Sequence, residues 1–130
     1  LMAEVLAGLD AIETGRGVPV QVYAGHDSNI LNLAGLLGLR WRLPSYQPLQ
    51  TPPGGAIAFE LWQRPSGPAV RLVYFAQTIE QLRHNTPLSL ANPPARAVMP
   101  VAGCAADHGA CGWGDFRRLA RRAIEPACVR

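Results

Sequence analysis

Tyr23-Ala24-Gly25-His26-Asp27-Ser28-Asn29-Ile30 is the stretch on which the reading of the fold turns. An apolar run stops at a glycine, presents a histidine and an aspartate, and passes directly into a helical pattern. In an open α/β sheet, ligands bind beyond the carboxyl ends of the strands, where the next helix offers unpaired N–H groups and a positive dipole end to an anion. His26 and Asp27 are expected at such an edge. If the ligand is a phosphate ester, each residue has a physical task. Gly25 lets the backbone turn and come close to the ligand because it has no Cβ. His26 can donate a hydrogen bond, or carry a full positive charge, toward phosphoryl oxygens. Asp27 can be the proton donor, since a carboxylic acid beside an anionic phosphate keeps its proton to higher pH. Ser28 and Asn29 open the helix, where short polar side chains cap N–H groups or reach the ligand. The bland alternative for a His-Asp pair at a strand end is a structural hydrogen bond or a surface pair.

The chain on either side of the corner supports an α/β class. Leu1, Val5, Leu9 and Ile12, with Met2 and Leu6, recur at helical spacing, and Gly15 and Gly17 supply a stop. Val18 to Ala24 is nearly continuous in apolarity and rich in β-branched residues, with Pro19 tolerable only near its start. It reads as a strand buried on both faces. Ser28 to Leu39 reads as an apolar helix. Helix, strand and helix in this order predict a mixed, mostly parallel sheet flanked by helices.

Farther along, Arg40 to Gly55 is a proline-stiffened loop in which Thr51 to Gly55 reads as a rigid turn. Ile57, Phe59 and Leu61 alternate with Ala58, Glu60 and Trp62, and the alternation resumes from Val70 to Gln77, which predicts a hairpin. Gln81 to Arg83 continues as strand end or as a turn of helix, and Thr86 to Pro94 is loop. Ala97 to Ala102 is a short strand kept at an edge or bulge by Pro100. Asp115 to Glu125 is an amphipathic helix with Arg117, Arg118, Arg121 and Arg122 largely opposite its apolar face. A solvated face is the plain reading of those arginines; a polyanion-binding surface is the alternative.

Composition narrows the function classes. The 130 residues are 48% hydrophobic, the size of one ordinary domain with a core. The net charge of +3 is carried by arginine alone, a compositional habit rather than a nucleic-acid-binding device. Without lysine there is no Gly-x-x-x-x-Gly-Lys phosphate loop. No apolar run approaches the roughly 20 residues that cross a bilayer. Leu1 to Glu13 is acidic and is not a signal peptide. Cys104 and Cys111 bracket a short loop and suit a disulfide worth about 2.5 kcal/mol in loop entropy, leaving Cys128 over. The alternative is a zinc site from Cys104, His108, Cys111 and Cys128, whose spacing matches no common zinc motif. His84 and His108 read as surface histidines.

The corner, with its continuation, resembles the histidine acid phosphatase family, the branch of bacterial phytases and glucose-1-phosphatases. The resemblance runs through Asn29-Ile30, Leu36-Leu37-Gly38-Leu39, Thr51-Pro52-Pro53-Gly54-Gly55 and Ile57 to Trp62. It continues through Gln77-Thr78, Gln81-Leu82-Arg83, Thr86 to Leu90, Ala102-Gly103-Cys104 and Pro126-Ala127-Cys128. It implies a phosphoglycerate-mutase-like fold and phosphomonoester hydrolysis through a phosphohistidine, with phytate or a sugar phosphate as substrate. It assigns Asp27 as proton donor and His26 as phosphate-binding residue, with Gly25, Ser28 and Asn29 beside the substrate, and it implies that the Thr51 to Gly55 turn lies near the active site and helps shape the pocket, the alternative to a plain rigid turn. No cofactor and no metal are implied, and neither nucleic acid nor membrane is a partner. The family's Arg-His-Gly-x-Arg-x-Pro motif, with its nucleophilic histidine, is absent from these residues. Residues 1 to 130 are therefore expected to form the C-terminal portion of such an enzyme, partnered by its N-terminal portion. In the family the terminal cysteine pairs with one far upstream, and a periplasmic or secreted location follows. The alternative function is a catalytically silent phosphate-binding or protein-interaction module.

Overall fold

The structure is a computed structural model in which residues 1–104 and 108–129 are described; the middle of the expected Cys104–Cys111 loop lies outside them. The first helix, α1, spans Met2–Glu13 and buries Met2, Val5, Leu6 and Leu9. The second, α2, spans Asp27–Leu37 and ends on Gly38, whose positive φ of 65° closes the helix in the left-handed conformation that glycine adopts without cost. The hairpin is present as β1, Ala56–Trp62, and β2, Ala69–Ala76, paired from Ala56 opposite Phe75 to Trp62 opposite Ala69. A short α3 covers Ile79–Arg83, with Thr78 capping it by accepting from the Gln81 amide. Strand β3, Ala95–Met99, stops before Pro100 at the sheet edge. Strand β4, Ala110–Gly112, leads directly into α4, Trp113–Ala123, and a 3-10 turn, Pro126–Cys128, follows.

All the ladders are antiparallel. One edge of β2 carries β1; the other is shared end to end by β4, opposite residues 69–71, and β3, opposite residues 72–76. This corrects the expectation of a mostly parallel sheet. The reason lies in Val18 to Ala24. That run is not paired with any strand, and its side chains stand in the open, with Val20 75% and Val22 86% exposed. No crossover joins the four strands, so nothing here makes a parallel pair.

The core forms where α4 and the loop from Leu39 to Tyr46 cover the sheet. Val70, Leu72, Tyr74, Met99, Phe116 and Ala120 are fully buried there. Phe116 meets Phe59 edge-on at 6.2 Å between ring centroids, and Trp41 stacks on Tyr74 at 4.4 Å. Helix α1 is tied to α4 by ion pairs from Asp10, whose carboxylate lies 3.0 Å from Arg117 Nε and 3.9 Å from Arg121.

Candidate functional site

The corner is built by the helix that follows it. His26 is the residue before the first turn of α2, in an extended conformation with φ −108° and ψ 169°. Its N–H donates to Asn29 Oδ1 at 2.8 Å. A Cβ on residue 25 would lie 2.7 Å from that same oxygen, so glycine is required if the cap is to form. Asn29, expected to cap or to reach a ligand, is therefore engaged in holding the His26 backbone. Asp27 accepts from the Ser28 amide at 2.7 Å, and the Asn29 amide donates to the His26 carbonyl at 3.0 Å. Among the described residues this leaves the Asp27 N–H as the first-turn donor without a partner, fewer free donors than a bare helix start would offer. Both His26 and Asp27 point into solvent-exposed surroundings.

Across from this corner stands the Thr51-Pro52-Pro53-Gly54-Gly55 turn. Together with Gly25, His26, Asp27 and Ile30 it lines an open cleft of about 320 Å³. The turn is seated on the core: the Gly55 amide donates to the Pro52 carbonyl at 3.0 Å, and Trp41 Nε1 donates to the Gln50 carbonyl at 3.0 Å. Gly55 also lies directly over Tyr74, whose hydroxyl would sit 2.3 Å from any Cβ added there. That hydroxyl is buried and has no hydrogen-bond partner among the described residues. Burial, and after it the neighbouring Tyr46, raises the Tyr74 pKa above 10.0. Sequence reading took Thr51 to Gly55 first of all as a rigid turn before a strand; the structure makes it that turn and one wall of the cleft as well.

The remaining candidates separate from this cleft. Cys104 and Cys111 are disulfide-bonded, with Cα atoms 5.4 Å apart, and Cys128 is free and exposed. That removes the zinc alternative, because two of its four ligands are bonded to each other. Among the described residues, no cluster of three or more His, Cys, Asp or Glu side chains is placed to hold a metal. A larger hollow of about 470 Å³ lies on α4 between Gly114 and Arg117, Arg118, Arg121 and Arg122. Asp10 faces Arg117 and Arg121, and Asp115 pairs with Arg118, so three of its four cations already have carboxylate partners. This favours the solvated-face reading. Among the described residues, no helix is long and apolar enough to cross a membrane.

Residues 1–75 match the histidine phosphatase superfamily (branch 2). The chain is 44% identical over 111 residues to phytase AppA of Escherichia coli (strain K12), covering 81% of this chain and 25% of that protein. It is 31% identical over 121 residues to the glucose-1-phosphatase of Providencia rettgeri, covering 91% of this chain and 29% of that one. It thus spans about a quarter to three tenths of the curated relatives' length. Among solved structures, the Citrobacter braakii phytase superposes with a TM-score of 0.79 at 32% identity, over 98% of this chain and 36% of its own. The Hafnia alvei phytase in complex with myo-inositol hexakis sulphate gives 0.75 at 34% identity, over 94% and 34%. With more than half its residues inside the family match and a core that superposes on solved phytases, the chain belongs to the histidine phosphatase superfamily, branch 2.

Proposed function

We propose that these residues are the C-terminal portion of a periplasmic or secreted acid phosphatase and supply its proton donor. The substrate is a phosphomonoester, phytate or a sugar phosphate. The observation that carries the reading is the cleft in which His26 and Asp27, at the start of α2, face the Thr51–Gly55 turn. The relatives named phytase and glucose-1-phosphatase support the substrate class, and the Cys104–Cys111 bond supports an oxidising compartment.

In this reading a histidine from the N-terminal portion attacks phosphorus. The P–O bond to the leaving group breaks, and the departing oxygen takes the proton of the Asp27 carboxyl. A phosphohistidine and a free alcohol result. Water then attacks the phosphohistidine, Asp27 takes a proton back, and inorganic phosphate leaves with the histidine restored. His26 donates to the phosphoryl oxygens throughout. The unpartnered Asp27 N–H, at the positive end of α2, adds a donor on the same side. Ser28 and Gly25 border the phosphate, and Asn29 fixes the His26 backbone.

The test compares leaving groups in the complete reading frame that contains these residues. Asp27→Asn keeps the shape and removes the transferable proton. Turnover of alkyl phosphates should fall roughly 100-fold or more, while p-nitrophenyl phosphate, whose phenolate leaves unaided, loses far less. Equal losses on both would make Asp27 a binding or structural residue. A complete frame that releases no phosphate from any ester would instead support a silent binding module.

A further inference from the structure

Gly54 and Gly55 stand side by side in the cleft wall and are glycine for different reasons. Gly54 has a φ of 74°, and a Cβ there would meet nothing within 4 Å, so backbone conformation selects glycine. Gly55 does not adopt a positive φ. A Cβ on it would lie 2.3 Å from the Tyr74 hydroxyl, 3.0 Å from the Pro52 carbonyl oxygen and 3.1 Å from Tyr74 Cζ, so space selects glycine. The hydroxyl fills the volume in which a side chain at position 55 would begin. It has no room to step aside. Tyr74 is 0% exposed in the middle of β2, opposite Ile57 of β1 and Ala97 of β3. Trp41 stacks on its ring at 4.4 Å while donating from Nε1 to the Gln50 carbonyl, one residue before the turn. A ring packed on so many sides does not change rotamer without moving its neighbours. Among the described residues the hydroxyl makes no hydrogen bond, so what it contributes is bulk, and it contributes that bulk at the desolvation cost of a buried unpaired group.

We infer that Tyr74 is a positioning residue that sets the width of the cleft: its hydroxyl props the Gly55 backbone above β2 and so determines how bulky an ester fits between the Thr51–Gly55 wall and the His26–Asp27 corner. The direction follows from which residues line the open space. Gly55 lines the cleft, whereas Tyr74 is wholly buried and does not, so Gly55 lies between the hydroxyl and the cleft. An atom added between Gly55 and Tyr74 pushes the wall inward and narrows the cleft. An atom removed there lets the wall settle toward the sheet. The inference rests on the reading of the cleft as a phosphatase site, and it adds the residue that gauges the ester there from beneath the wall, without touching it.

A double-mutant cycle in the complete reading frame tests it, read as the ratio of kcat/KM for p-nitrophenyl phosphate to kcat/KM for the bulkier phytate. Gly55→Ala should raise this ratio about 10-fold or more, the scale on which one methyl group in a pocket discriminates between substrates. Tyr74→Phe alone should lower the ratio or leave it at the parent value. In the double variant the 2.3 Å contact is gone, and the contacts left at 3.0 and 3.1 Å are relieved by shifts of a few tenths of an ångström. The ratio should then return to within about 3-fold of the parent, a coupling expected only of residues in contact. Simple loss of folded enzyme lowers both rates together and does not move the ratio. A ratio unchanged by Gly55→Ala, or one that Tyr74→Phe fails to restore, would overturn the inference while hydrolysis by the parent keeps the functional reading. If Gly55→Ala does not fold, the double variant must fold and show a ratio near the parent's, and its failure to do so overturns the inference as well. A parent frame that hydrolyses neither ester overturns the functional reading and this inference with it.

Discussion

Two segments of similar composition meet opposite fates in this molecule. Ala69–Ala76 and Val18–Ala24 are both short and largely apolar; from sequence, Val70 to Gln77 reads as one arm of a hairpin and Val18 to Ala24 as a strand buried on both faces. In β2, Val70, Leu72, Val73 and Tyr74 are at most 1% exposed, with β1 on one edge and β3 and β4 on the other. In Val18–Ala24 no ladder forms, and Val22 is 86% exposed. The contrast teaches that apolar pattern states what a segment requires, whereas neighbours decide whether it is met. The two walls of the cleft differ in the same way: the Thr51–Gly55 wall is seated on β2, and the His26–Asp27 wall follows the unpaired run Val18–Ala24.

The largest test of the contrast is in the core. Phe116→Ala should cost about 3–5 kcal/mol in denaturant unfolding, because a fully buried ring leaves a cavity against Phe59 and Trp113. Val22→Ser in the same chain should change stability by less than about 0.5 kcal/mol. A comparable loss at both positions would mean that residue 22 is buried in solution.

The disulfide comes next. Replacing both Cys104 and Cys111 by serine should cost about 2.5 kcal/mol and loosen β4 first, since Cys111 sits in that strand opposite Val70. Cys128→Ser should be silent, because that thiol is free and exposed. A stability loss from Cys128→Ser alone, under oxidising conditions, would reassign the pairing.

The smallest effect is expected beneath the cleft. Tyr74 has a folded-state pKa above its unfolded value of 10.0, for reasons of burial first and Tyr46 second. The unfolded chain therefore releases that proton at lower pH than the folded one, and the contribution is fully present below pH 10 and lost as pH rises beyond it. Tyr74→Phe removes a hydroxyl that has no partner, so it should be neutral or stabilising within about 1 kcal/mol at pH 7. It should also flatten part of the alkaline loss. A large destabilisation by Tyr74→Phe at pH 7 would mean that the hydroxyl is hydrogen-bonded in solution.

What the sequence made legible follows from range. Alternation at Ile57, Phe59 and Leu61 revealed the hairpin because its partner strand is a few residues away. The spacing of Val5 and Leu9, the stop after Glu13 and the apolar run from Ser28 to Leu39 revealed the helices for the same reason, although α2 ends at Leu37, before Gly38, and not at Leu39. Strand β4 was missed: three residues, Ala110–Gly112, carry too little pattern, and only the register with residues 69–71 of β2 makes them a strand. The sheet direction was misread because it was inferred from Val18–Ala24, which pairs with no strand among the described residues. At the candidate site, Gly25, His26 and Asp27 were readable as a strand-to-helix corner, since the chemistry is contiguous. The engagement of Asn29 with the His26 amide was readable only as one of two options. That Thr51–Gly55 faces the corner was implied by the family resemblance alone, because the packing of Trp41 and Tyr74 that seats the turn joins residues 14 and 47 positions beyond Asp27, too far apart for local pattern to show.

The cap between His26 and Asn29 has a mechanical meaning. It makes the corner a cantilever: clamped to α2 at one end and, through Val18–Ala24, held at the other by side-chain contacts with α1 and by no strand ladder. A cantilever is stiff near its clamp and drifts away from it, so Asp27, inside α2, is better fixed than Gly25. The proton delivery proposed for Asp27 would tolerate little drift, because a misplacement of about 1 Å can lower turnover about 100-fold. Clamping the far end would narrow the spread of positions available to His26 and Asp27 without altering a single group in the cleft.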